Sequence, residues 1–131
     1  MQRTYLIIAA ILGILAVALG AFGAHEVRSV VSPDIFQVYE TGIKYQFYHV
    51  FALLAVGILL RWYPGNMMSL AGLFFIIGIV LFCGSLYLIT GLMHAGKVVS
   101  PAIGIITPLG GLFFIAGWVW MLLGLLTKRA G

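Results

Sequence analysis

Nine side chains able to carry chemistry fall toward one end of four apolar stretches: His25, Glu26, Tyr45, Gln46, His49, Tyr87, Thr90, His94 and Thr107. Histidine and carboxylate together suit zinc and similar ions. Yet the chain has no His-x-x-x-His pair of the kind that places two ligands on one helical face. Haem held between His49 and a second histidine meets a further difficulty, because His25 and His94 stand at the ends of their stretches. Catalysis has less to work with. No Asp or Glu lies inside an apolar stretch, there is no Ser-His-acid set, and Ser85 and Cys83 sit among apolar neighbours with no base in view. An intramembrane enzyme with His49 as base is the one catalytic version these residues allow. A proton or small-solute pathway needs ionisable groups through the whole thickness of a membrane, and here they stop halfway. Against all of these stands a structural reading, in which the polar set is the internal hydrogen-bond network of a helix bundle and Tyr39, Tyr48 and Tyr87 are partly interfacial aromatics.

The elements that must position these residues follow from composition. Hydrophobic residues make up 63% of the 131 and charged residues 8%, a balance no water-soluble domain of this size keeps in solution. The solvent is lipid, and four spans of about 20 residues with short connections use nearly the whole chain, leaving no room for a soluble domain. The expected fold is an all-α, integral-membrane, antiparallel four-helix bundle in a single domain, 1–131. The seven Lys and Arg are scattered with no run among them, which excludes a nucleic-acid surface and fits contact with lipid headgroups. Cys83 is the only cysteine, so no internal disulfide can form.

The spans are expected at about 4–24, 41–60, 67–92 and 101–126, with an interfacial helix at about 33–41. Ala21-Phe22-Gly23-Ala24 has the small residues of a signal-peptidase site, but the apolar region before it is too long and its positive flank is Arg3 alone, so the segment is expected to stay. Ser32-Pro33-Asp34 reads as a helix start: an N-cap, a proline at the first position and an acid in the first turn. Glu40 and Lys44 are spaced to pair, and Gly42 is the expected bend between the interfacial and spanning parts. Arg61-Trp62-Tyr63-Pro64-Gly65-Asn66 closes the second span, and Lys128-Arg129 ends the fourth, with side chains long enough to snorkel to the headgroups. Four spans put both termini on one side, with Arg3, Arg61, Lys128 and Arg129 against Arg28, Lys44 and Lys97 on the other. The bias favours cytoplasmic termini.

Helical geometry then sorts the faces. Apolar burial cannot drive association within lipid, so small residues and shared hydrogen bonds must do it. Ala9, Gly13, Ala16, Gly20 and Gly23 form one stripe in the first span, and Gly110, Gly117 and Gly124 another in the fourth; both are expected to be packing seams. Gly42, Tyr45, Gln46, His49 and Leu53 share an arc of about 120° at about 100° per residue. Gly84, Tyr87, Thr90, Gly91 and His94 occupy a similar arc in the third span, toward the end opposite the termini. His49 lies roughly 10 Å below Thr41 at 1.5 Å rise per residue, so it must face protein or water. Pro108 frees the carbonyl of Gly104, which asks for a further polar partner beside Thr107. The cytoplasmic half is expected to hold no comparable cluster. Spans one and three each end in small residues followed by a histidine, a faint 2+2 likeness.

An ordered set of short motifs adds a resemblance. Gly20-Ala21-Phe22-Gly23-Ala24-His25 is followed by Thr41-Gly42 with Tyr45-Gln46 and His49. Gly84-Ser85-Leu86-Tyr87 with Thr90-Gly91 comes next, then Ile106-Thr107-Pro108-Leu109-Gly110-Gly111 with Gly117-Trp118. Over almost its whole length the chain resembles the YgdD/YwdK family of small bacterial membrane proteins, which has eukaryotic relatives. Cys83 stands where similar proteins often have Ser. The resemblance implies a four-helix, multi-pass inner-membrane protein of unassigned biochemical activity, and its motif residues coincide with the polar cluster. The expected function is a non-enzymatic accessory or envelope-integrity role through binding of lipid, another membrane protein or a second copy. The alternative is a small transporter or a metal- or haem-binding protein using His25, His49 and His94. The cofactor is unknown on either reading.

Overall fold

The computed structural model describes residues 1–127, and their fold is four antiparallel helices, each long and apolar enough to cross a membrane: α1 (Gln2–Val30), α2 (Pro33–Leu59), α3 (Asn66–His94) and α4 (Pro101–Leu126). At 1.5 Å per residue each runs about 40 Å, the hydrocarbon core plus both headgroup layers. Lys128-Arg129 lies outside the described residues.

The helix ends follow local chemistry. The Ser32 hydroxyl accepts from the Ile35 amide at 3.3 Å with Pro33 behind it, as expected. Ser100 repeats the arrangement on Ile103 at 3.4 Å ahead of Pro101. The two starts are the same four residues, Val30-Val31-Ser32-Pro33 and Val98-Val99-Ser100-Pro101, a stronger sign of a 2+2 repeat than the histidines. α3 closes with Gly96 at φ 72°, where the Lys97 amide reaches back to the Leu92 carbonyl and the Gly96 amide to that of Met93.

Two expectations change here. α2 is one helix from Pro33 to Leu59, with no separate interfacial piece and no break at Gly42. A Cβ on Gly42 would lie 2.7 Å from the Tyr87 ring, so that glycine serves close packing of α2 on α3. The other change is that α1 and α3 each contain a π-helical turn, Gly23–Val27 and Ile79–Cys83, and α1 therefore continues past His25 to Val30. The two turns are secured alike: Ser29 donates to the Glu26 carbonyl at 2.7 Å and Ser85 to that of Phe82 at 2.8 Å, the same offset in each.

α2 and α3 form the buried middle, α1 packs on α2, and α4 packs on α3. Both small-residue stripes are seams. Gly13 and Gly20 face Val50 and Ile43 of α2, with Ala9 and Ala16 fully buried on the same stripe. On the other flank Gly110, Gly117 and Gly124 receive Phe82, Phe75 and Met68 of α3, so a seven-residue repeat of glycine meets a seven-residue repeat of large side chains running the opposite way. With no Cβ between them, the backbones approach closely enough for dispersion to hold them together in lipid.

Candidate functional site

The buried polar side chains are Gln46, His49, Ser85 and Thr90, and among the described residues no buried side-chain nitrogen or oxygen lacks a partner. Most of their bonds run between helices. Gln46 on α2 donates to the Leu12 carbonyl of α1 at 2.9 Å and accepts from the Tyr87 hydroxyl of α3 at 2.6 Å, so one amide ties three helices. Tyr39 donates to the Leu19 carbonyl of α1. Ser85 and Thr107 share a hydrogen bond of 2.6 Å across α3 and α4; the Ser85 hydrogen already goes to Phe82, so Thr107 is the donor.

His49 is fixed on both nitrogens. Its Nδ1 lies 2.8 Å from the Tyr45 carbonyl, which only accepts, and its Nε2 receives the Trp118 indole N–H at 3.1 Å, which only donates. The ring is therefore the neutral tautomer with hydrogen on Nδ1. It also stacks on Phe114 of α4 with centroids 3.6 Å apart. Neither nitrogen offers a lone pair for a metal, haem iron or a substrate proton while this arrangement holds.

The remaining candidates divide between two concavities. Glu26, Tyr87, Thr90 and His94 line a cavity of about 350 Å³ at the end opposite the termini. Its walls are Phe22, Val27, Val30 and Val31 from the end of α1 and its short connection, together with Gly91 of α3, and the Tyr39 and Tyr87 rings lie 5.4 Å apart in it. Tyr45 and His49 instead line a groove of about 450 Å³ between α2 and α4, walled by Phe82, Phe114 and Trp118 and lined by no charged group. Thr107 lies in neither, and His25 is exposed and lines no cavity described. The nine residues thus divide among a network, a crevice, a groove and one surface histidine rather than forming a single site. Among the described residues no three of His, Cys, Asp and Glu stand close enough to hold a metal, so the donor set His25, His49, His94 and Glu26 is not assembled.

Several placements depart from the sequence reading. Gln46 and His49 face inward, but Tyr45 is 39% exposed. Tyr39 is 5% exposed and inside the network rather than in the interfacial belt, whereas Tyr48 is 56% exposed. The terminal-side half is not empty of polar contacts, since Tyr5 of α1 is buried over Gly72 and donates to the Ser69 carbonyl of α3 at 2.5 Å. Gly104 sits on the exposed side of α4. Ser85 and Trp118 were missed as members, although Tyr39 was within reach of the sequence: it falls three residues before Gly42, on the face that carries Gln46 and His49.

Comparison with known proteins agrees with a membrane protein. The family described as "Protein of unknown function (DUF423)" matches residues 19–111. The UPF0382 membrane protein YwdK of Bacillus subtilis is 38% identical over 90% of this chain and 92% of its own length. The UPF0382 inner membrane protein YgdD of Escherichia coli K12 is 37% identical over 99% and 95%. A similar protein of Staphylococcus saprophyticus, UPF0382 membrane protein SSP2132, is 37% identical over 94% and 97%. No solved structure matches.

Proposed function

The chain belongs to the DUF423 family, and from that premise we propose that it is a non-enzymatic membrane protein that holds an amphipathic guest, a lipid, in the crevice between the ends of α1 and α3. One observation carries this reading. Among the described residues every buried polar side chain is engaged within the protein, while the side chains of Glu26 and His94 face the crevice with no hydrogen bond or ion pair to any described residue. The protein's polar interior holds the bundle together, while Glu26 and His94, a carboxylate and an imidazole without partners among the described residues, line one open cavity. The charge bias of four to three favours cytoplasmic termini, which supports a crevice in the extracytoplasmic leaflet, where a bound lipid suits an accessory role in the envelope. The transporter and metal- or haem-binding reading draws no support from this division, because His49 is engaged on both nitrogens and the histidines stand apart.

Native mass spectrometry of protein purified in mild detergent tests the proposal, with Gly91→Phe as the comparison. Gly91 lines the crevice and a Cβ there meets nothing within 4 Å, so a phenyl ring on this residue is expected to occupy crevice space. The wild type is expected to retain one lipid and the variant none. Equal lipid on both refutes a crevice site.

A further inference from the structure

The crevice has a composition that selects its guest, and we infer that the lipid it holds carries a primary ammonium head group, as in phosphatidylethanolamine; this rests on the crevice being the binding site proposed above. The walls from Phe22, Val27 and Val30, with the rings of Tyr39 and Tyr87, form an apolar slot whose volume lies in the range of about 300–1,000 Å³ used by small-molecule sites. Both tyrosine hydroxyls point away into the network, to Leu19 and Gln46, so the slot meets the guest with ring faces and methyl groups that suit an acyl chain.

The polar edge is made of acceptors. Glu26 is the only charged carboxylate lining the crevice and has no cation within reach among the described residues. The Thr90 hydrogen goes to the Leu86 carbonyl at 2.9 Å, which leaves its oxygen to accept. His94 supplies a ring nitrogen as a third acceptor in its neutral form. An ammonium group has three N–H donors and a positive charge, which matches a carboxylate, a hydroxyl oxygen and an imidazole nitrogen. A choline head has the charge without the donors, and a glycerol head has donors without the charge.

A second, independent feature marks the same place. The π turn Gly23–Val27 contains Glu26 and Val27, two of the lining residues, and presses Gly23 against the Tyr39 ring. Such turns break the regular α ladder and are frequent at functional sites. Here the break is stabilised by Ser29 on the Glu26 carbonyl, which fixes the backbone from which the carboxylate projects.

The test titrates lipid-depleted protein in detergent with phosphatidylethanolamine, phosphatidylcholine and phosphatidylglycerol of identical acyl chains, reading bound lipid by native mass spectrometry. The wild type is expected to bind phosphatidylethanolamine about tenfold tighter than either other lipid. Glu26→Gln is expected to lose that preference while keeping weak binding of all three, and Gly91→Phe to lose binding of every lipid. Gly91→Leu, with circular dichroism on each variant, guards against misfolding by the larger side chain. Equal affinity for the three lipids in the wild type overturns the head-group inference, as does an unchanged preference in Glu26→Gln, while loss of binding in Gly91→Phe would still uphold the crevice. Undiminished binding in folded Gly91→Phe and Gly91→Leu overturns both. A dimer mass that disappears in Gly91→Phe would show a second copy as the occupant and overturns both as well.

Discussion

The seam between α3 and α4 and the crevice between α1 and α3 are both built around glycine, and they use it in opposite ways. At Gly110 and Gly117 a Cβ would run into Phe82 or Phe75, so the missing side chain is filled by a neighbouring helix. At Gly91 a Cβ would meet nothing, so the missing side chain leaves space. One glycine closes a protein and the other opens it. The polar residues divide in parallel, with Gln46 and His49 saturated by protein partners and Glu26 and His94 facing a cavity. In a membrane, where helices gain nothing from excluding water, spacing alone does not distinguish glue from site; the partner does.

The largest effect is expected at the seam. Gly110→Leu places its side chain against the backbone of Phe82, which cannot swing aside, and should cost about 3 kcal/mol or more, read as a lowered thermal midpoint in detergent. Next comes the network: Gln46→Leu leaves the Tyr87 hydroxyl without its partner and removes the tie to Leu12, for an expected loss of about 1–2 kcal/mol by the same measurement. Trp118→Phe keeps an aromatic ring but removes the donor to His49 Nε2, with an expected loss of about 0.6 kcal/mol. Its clearer sign is a changed nitrogen-15 shift of that ring nitrogen in labelled protein. The smallest effect belongs to the crevice. Gly91→Ala fills no occupied space and replaces a poor helix former, so the midpoint should stay or rise by the equivalent of up to about 1 kcal/mol. A large loss there would erase the contrast between the two regions.

Much of this was legible in the sequence. Length and hydropathy set the four spans, Ser32-Pro33 set a helix start, and the glycine and alanine spacings marked both seams, because each depends on a local pattern. What the sequence did not disclose depends on register between helices. Nothing in the spacing of Gly23 or Ile79 announces a π turn, and without it the apolar stretch of α1 reads as ending at His25. Gly42 read as a bend because a helical glycine facing Tyr87 looks the same in sequence as one at a hinge. The polar face of α2 was correctly turned inward for Gln46 and His49, but whether a histidine is engaged or open is decided by Trp118, 69 residues away. The three histidines counted as one cluster because they share a level in the membrane, and a shared level fixes depth without fixing the side of the bundle.

The most direct test measures thermal midpoint and retained lipid together in Gln46→Leu and Gly91→Phe. The account predicts a crossed result: Gln46→Leu melts earlier yet, at temperatures where it is folded, carries its lipid, and Gly91→Phe melts like the wild type once lipid is removed from both, yet carries none. A folded Gln46→Leu protein stripped of lipid, or Gly91→Phe with its lipid in place, would contradict the separation of glue from site.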